Sequence, residues 1–313
     1  SAPFHYCHLQ AINHAARYCL IFPMQEFQNV QITCVGHSGS SLLNLILGAH
    51  SQITSTGELM SLQNVYSYEN CTCGRPLCNC PFWQEVIDLV TKAVSIPADR
   101  FSRTLPMRDG AYRHDRTATQ RCHELLLLTA NRHTLPAFNS LVGGVRRSLL
   151  AASNNYAILA AVGKLAGTPI VADSSKNPFR ARSLFFAHPD DLRVIHLVRD
   201  GRAVARSWVR SYGKFDYAGA ARQWLYRETA IRMAIRDIPE SCRVRVRYED
   251  LCESPEIVLD RICGFLGLKY EPAMISYLAG DRHDVHINLR PIHEQPEIRL
   301  DERWKEEVTS EQM

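Results

Sequence analysis

Hydrophobic and polar positions along this chain repeat one order several times. Residues 30–35 are a short β-prone run, followed by a Gly/Ser loop from Gly36 to Ser41 and an apolar stretch over 42–47 that Gly48 stops. This order predicts strand, loop, helix. Residues 169–172 predict a second strand and 173–177 a polar loop, and Pro178 suits the first turn of a helix, where its missing N–H costs nothing. Residues 193–198 predict a third strand, followed by R-D-G-R and a helix through Trp208. A fourth strand is predicted over 243–247, ending at Tyr248, with a helix over 254–265. Strands alternating with helices imply an α/β fold, a central parallel sheet covered on both faces. In such sheets ligands bind at the carboxyl ends of the strands.

The rhythm breaks over 65–150, where helices are predicted near 81–93 and 117–130. This stretch reads as a helical insertion over the acceptor side of one domain spanning 1–313. After Ala279 the chain is polar and irregular until a helix near 301–308. The composition is that of an ordinary globular chain, with 46% hydrophobic and 22% charged residues. A net charge of +4, from scattered Lys and Arg, argues against a nucleic-acid partner and leaves a local anion site as the better use of the cations. No run approaches the ~20 apolar residues of a spanning helix, so no membrane partner is expected. The start of the chain lacks a signal-peptide pattern, and a reducing cytoplasm is the expected compartment. Oligomeric state leaves no trace in the pattern.

The loop Gly36, His37, Ser38, Gly39, Ser40, Ser41 lies between a strand and a helix, which aims backbone N–H groups and a helix dipole at an anion. An ATP–Mg²⁺ loop would carry a Lys after its second Gly, and none is present. A plain strand–helix turn is the competing reading. Arg199 ends a strand, and Ser207 follows about two turns into the next helix, so the two can grip one phosphate from two sides. Alternatively, Arg199 and Asp200 only pair with each other or with neighbours.

These segments together resemble the sulfotransferases that use 3′-phosphoadenosine 5′-phosphosulfate (PAPS), especially small bacterial members and the tyrosylprotein branch. The stretch V-G-H-S-G-S-S-L-L from Val35 is similar to that family's loop for the 5′-phosphosulfate. V-R-D-G-R from Val198, with Ser207, is similar to its 3′-phosphate motif, and V-R-Y-E-D-L from Val246 to the segment that sets Tyr248 against the nucleotide. Cys73-Gly through Cys80-Pro-Phe-Trp also resembles a bacterial motif. The resemblance implies a P-loop-like fold, PAPS as donor, adenosine 3′,5′-bisphosphate as product, and no catalytic metal. It further implies Glu58 as the catalytic carboxylate and Lys176 as the catalytic cation.

The chemistry agrees with those two roles. An acceptor hydroxyl must lose a proton as it attacks sulfur, and the bridging oxygen gains negative charge as it leaves. One departure is His37, where many relatives carry Arg or Lys; it is read as an electrostatic helper and a proton donor to the leaving phosphate. His50 and His196 are alternative bases, with His196 more at home in a core strand. Arg290 and His286 are candidates for closing over the nucleotide. The expected acceptor is a small molecule with a hydroxyl or amine, a secondary metabolite before a carbohydrate or protein tyrosine. Different classes stay open: a P-loop nucleotide kinase, or a nucleotide-binding protein without catalysis.

Eleven cysteines are present. Cys7, Cys19, Cys34, Cys122, Cys242, Cys252 and Cys263 lie among apolar neighbours and read as buried small hydrophobes. Cys71, Cys73, Cys78 and Cys80 crowd together at a spacing unlike familiar zinc ribbons. Zinc, two disulfides and packed free thiols are equal alternatives, none of them needed for sulfuryl transfer.

Overall fold

The computed structural model describes residues 27–93, 143–213, 216–289 and 296–309, with isolated positions between 122 and 134. Five strands form one sheet: β1 (Gln28–Cys34), β2 (Ile53–Ser55), β3 (Ile170–Lys176), β4 (Leu192–Val198) and β5 (Arg243–Arg247). Their order is β2-β3-β1-β4-β5, and every pairing is parallel. The four predicted strands are all present. The unpredicted β2 has only three residues, too few for a period to show.

Parallel strands need crossovers, and here the crossovers are helices. They are α1 (Ser40–Leu47), α2 (Leu62–Val65), α3 (Pro81–Ala93), α4 (Gly143–Ala166), α5 (Pro178–Ala187), α6 (Gly201–Tyr212), α7 (Tyr217–Ile235), α8 (Tyr248–Glu253) and α9 (Pro255–Phe265), with a final short α10 (Trp304–Glu307). Strand side chains divide between two cores. Leu192 and Val194 of β4 join the core under α3 to α7, while Ile195 and Leu197 join the core under α1, α8 and α9. Both faces are thereby covered, as all-parallel sheets require. The edge strand β5 instead alternates Arg with Val, and its arginines discourage further strand pairing.

The helix α4 is not among the predicted elements, and its burial explains why. Residues 151–163 are all buried, the polar Ser153, Asn154 and Asn155 included, so polar and apolar positions do not divide into two faces and no amphipathic period shows. Of the helix predicted over 117–130, only Cys122, Leu125, Leu126, Leu128 and Thr129 are described, and all five are helical. The rest of the expected insertion between 94 and 142 lies outside the described residues. Among the described residues no helix is long and apolar enough to cross a membrane. The expectation of scattered buried cysteines holds for Cys34, Cys252 and Cys263 but needs correction twice. Cys122 is exposed, and Cys242 is half-buried where a 3-10 turn leads into the edge strand. Cys7 and Cys19 lie outside the described residues.

The centre of the sheet is polar. Asn29, Gln31 and Thr33 of β1 are all buried, and so is Asp173 of β3. Asp173 Oδ2 accepts from Arg180 Nε at 2.8 Å and from Gln31 Nε2 at 3.2 Å, while Oδ1 accepts from the Ser175 backbone N–H at 2.9 Å. The β1–β3 register slips here: Gln31 pairs with Asp173, but Thr33 pairs with Lys176. One extra residue sits in β3, a bulge that turns the strand's last side chain. Asn177 then caps α5, accepting from the N–H groups of Phe179 and Arg180, and Pro178 opens the helix as the sequence predicts.

The Asp173–Arg180 pair has side chains 0% and 3% exposed, so neither partner can fall back on water. Arg180→Met keeps the apolar stem and strands the carboxylate. It should lower the unfolding free energy by about 3–5 kcal/mol, measured by urea titration. A loss under about 1 kcal/mol would show that Asp173 is held by its other donors alone.

Candidate active site

Four strand ends meet at one side of the sheet. The loop after β1, Lys176 at the end of β3, Arg199 after β4 and Tyr248 after β5 all lie there. In the first loop His37 and Gly39 both have positive φ, 69° and 91°. Glycine is required at 39 on two counts: the left-handed backbone, and a Cβ that would stand 2.5 Å from the Tyr248 ring. Tyr248 therefore lies directly on the loop. The Arg199 guanidinium covers the ring at 4.4 Å from its centroid.

Arg199 ties the loop down, since its Nη1 donates to the His37 carbonyl at 3.1 Å. Its Nη2 faces the Asp301 carboxylate at 3.2 Å and the Asp301 carbonyl at 3.1 Å. Its Nε is buried with no hydrogen-bond partner among the described residues. Asp301 is held well below the usual carboxylate range, first by the hydrogen bond from Arg303 and also by the Arg199 charge. Asp200 caps α6 and pairs with its neighbour Arg202 at 2.7 Å, so Arg199 and Asp200 pair with other residues rather than with each other.

His37 bridges the loop to α6. Its Nδ1 lies 2.8 Å from Ser207 Oγ and its Nε2 3.0 Å from the Tyr212 hydroxyl. Burial, helped by the nearby charges of Lys176 and Arg199, lowers its pKa from 6.5 to about 4. The ring is thus neutral here, one nitrogen donating its N–H to one hydroxyl and the other accepting from the second. To serve as a proton donor to the leaving phosphate as an imidazolium, the ring would need an anion beside it.

Lys176 has φ 64°, a left-handed conformation that the bulge imposes. Its ammonium is paired with Glu58, and both side chains are about one-fifth exposed, at 19% and 22%. Glu58 stands just before the 3-10 turn Leu59–Ser61, and its backbone N–H donates to the Val285 carbonyl at 2.8 Å. Gly57 makes that contact possible, because a Cβ there would stand 2.2 Å from the Val285 oxygen. The Met60 N–H donates to Ser175 Oγ at 2.9 Å, which couples the Glu58 turn to the bulge.

Gly36, His37, Ser38, Gly39, Ser40, Ser41, Arg199, Ser207, Tyr248, Lys176 and Glu58 thus gather along these strand ends and the elements that follow them. The alternative bases do not serve. His50 is buried with both ring nitrogens engaged, by the Lys269 carbonyl and the Gln52 N–H, and His196 is buried against Glu228. His286 pairs with Glu69 at 2.9 Å, and Arg290 lies outside the described residues. Asp301 and Tyr212 were not foreseen: one is in an irregular tail and the other lies beyond the motif, and neither shows a local signal. Asp301 also borders a cleft of about 510 Å³ whose lining mixes carboxylates, Asp200, Glu249 and Glu253 among them, with the cations Arg202, Arg247 and Lys305.

The cysteine loop assembles differently from the expected foursome. All four cysteines are free thiols. Cys71, Cys73 and Cys80 converge with His283, whereas Cys78 stays outside the group.

A model of the sulfotransferase family matches residues 92–272, more than half of the chain. Among solved structures, the sulfotransferase domain from the curacin biosynthetic pathway is similar at a TM-score of 0.51 and 18% identity, covering 91% of this chain and 91% of its own. That of the Synechococcus PCC 7002 olefin synthase gives 0.49 and 17%, covering 92% and 90%. No curated protein matches in sequence.

The His37 environment has a consequence for pH. The unfolded imidazole titrates at 6.5 and the folded one at about 4, so the unfolded chain holds more protons between these values. Stability is full above pH 6.5 and falls as pH drops towards 4. Buried His188, also lowered to about 4, acts with the same sign. His37→Gln should remove its contribution and make the acid slope shallower in denaturant titrations across this window; an unchanged slope would place His37 in water.

Proposed function

The chain belongs to the sulfotransferase family, and from that premise we propose that it moves the sulfuryl group of PAPS onto a hydroxyl, or an amine, of a small molecule. A secondary metabolite is the first choice of acceptor, ahead of a carbohydrate or a protein tyrosine. The fold agrees with the family: five parallel strands, flanking helices and a P-loop-like first turn. The observation that carries the proposal is the meeting of two charged sets at the strand ends. One is Arg199 and Ser207 on the His37 loop, and the other is Lys176 paired with Glu58.

On this reading Arg199 and Ser207 hold the 3′-phosphate, and Tyr248 lies against the nucleotide. The buried, unpartnered Nε of Arg199 supports a further acceptor at that place. Asp301 holds the guanidinium until a phosphate takes over. The backbone and hydroxyls of 36–41 receive the 5′-phosphosulfate. Lys176 exchanges Glu58 for the bridging and sulfuryl oxygens, which leaves the Glu58 carboxylate to accept the acceptor's proton. The acceptor oxygen bonds to sulfur as the sulfur–oxygen bond to the 5′-phosphate breaks, and adenosine 3′,5′-bisphosphate departs. A neutral His37 contributes an N–H, and a bound phosphate dianion would draw its pKa upward.

Glu58→Gln should cut turnover by about 10²–10⁴-fold and leave adenosine 3′,5′-bisphosphate binding intact. Lys176→Met should cost about 3–4 kcal/mol in the same assay. Turnover near that of the parent in both variants would remove them from the chemistry. A thermal shift with adenosine 3′,5′-bisphosphate and none with ATP–Mg²⁺ is the expected ligand profile. The reverse profile would put a nucleotide kinase first.

A further inference from the structure

Three sulfurs and one imidazole nitrogen meet at the end of the cysteine loop. The Sγ atoms of Cys71, Cys73 and Cys80 and the Nδ1 of His283 all lie within 4.8 Å of one another. Cys73 and Cys80 are 3.8 Å apart at sulfur. His283 Nδ1 lies 3.6 Å from the Cys71 sulfur and 3.3 Å from that of Cys80. Zinc bonds of about 2.3 Å to sulfur and 2.0–2.1 Å to nitrogen, set tetrahedrally, require sulfurs about 3.8 Å apart and sulfur–nitrogen pairs about 3.6 Å apart. A disulfide would bring two sulfurs to about 2.0 Å, and the thiols here are free.

The surroundings are those of ligands held in place. Backbone N–H groups of Cys73, Arg75 and Trp83 donate to the sulfurs of Cys71, Cys73 and Cys80 respectively. Such bonds fix each sulfur's direction. The His283 ring is stacked on Phe82 at 4.6 Å with a 7° interplanar angle, and its carbonyl accepts from Trp83 Nε1 at 2.8 Å. Cys71 and Cys80 are buried, so two of the sulfurs are kept from solvent.

We propose that Cys71, Cys73, Cys80 and His283 form a structural zinc site that clasps the cysteine loop to the segment before Val285. Three thiolates and one imidazole match zinc, whereas oxygen-seeking magnesium, calcium and manganese find no ligand of their kind. Four protein ligands close the coordination sphere, which makes the site structural and leaves no position for substrate. It joins residues some 200 positions apart in sequence, the separation of Cys80 and His283 being 203. Two residues after His283, Val285 bonds Thr56 and Glu58 through its backbone. The clasp therefore also steadies the segment against which Glu58 is set. The proposal is independent of the sulfuryl-transfer reading, because its test measures metal and backbone exchange.

The full chain, purified without added metal or chelator, should contain about one zinc per molecule by inductively coupled plasma mass spectrometry. Cys73→Ser and His283→Asn should each lose it, and Cys78→Ser should keep it. If the first two fail to fold, cobalt exchange of the parent protein decides. Tetrahedral Co(II) with three thiolates gives intense visible bands and near-ultraviolet charge transfer. Removing the zinc should speed amide exchange over 56–60 and 282–287. A parent protein that takes up neither zinc nor cobalt, or whose intact mass is lower by a pair of hydrogens, would overturn the proposal. Retention of zinc by His283→Asn together with its loss from Cys78→Ser would overturn it equally.

Discussion

A carboxylate sealed in the middle of the sheet, Asp173, sets the geometry on which the rest of the molecule depends. It accepts from the guanidinium of Arg180, the amide of Gln31, and both the N–H and hydroxyl of Ser175. A buried carboxylate with fewer donors would be costly enough to unsettle the strand, so the arrangement is close to all-or-none. Satisfying Asp173 fixes three things together: the polar face of β1, the entry of α5, and the bulge that carries Lys176. The bulge then holds Lys176 at a positive φ that costs a non-glycine residue of order 1–2 kcal/mol. Strain at a residue that faces a carboxylate across the strand ends is placement bought with core hydrogen bonds.

The same economy governs the cations around the site. Lys176 is neutralised by Glu58, Arg199 by Asp301, and Arg206 by Glu307. Each cation is kept pointed and partly desolvated, and no uncompensated charge is left buried. An incoming anion then exchanges one carboxylate for another acceptor, so little reorganisation is needed when charge arrives. The exchange also makes the two carboxylates unequal. On the function proposed above, Glu58 is released to take up a proton. Asp301 is held by Arg303 as well as Arg199 and stays ionised.

How much of this could be read from the sequence follows from the range of each interaction. The strand–loop–helix repeats are local, and the four main strands and the residues at their ends were legible from them. Lys176 could be placed at a strand's carboxyl end, but its backbone conformation could not, because the bulge depends on a register between strands 142 residues apart. Helix α4 hid because uniform burial erases the amphipathic period. Cys78 was grouped with its neighbours on spacing alone. His283 replaces it through a fold contact that no local pattern carries.

The tail shows the same limit from the other side. Its composition is polar and its local pattern loose, yet it reaches both halves of the strand-end region. Val285 forms a parallel bridge with Gly57, beside Glu58, and Asp301 and Glu307 meet the arginines of β4's end and α6. Between these two attachments Ile287, Leu289, Ile298 and Leu300 pack against the core under α1, α8 and α9, and polar anchors fix the ends. Loose sequence is compatible with a defined path when the anchors are few and strong, and here they are backbone bonds at one end and charged pairs at the other. The family match ends at residue 272, before both anchors. The strand-end motifs supply the cations, and the tail beyond them supplies the contacts that hold two of those motifs in register.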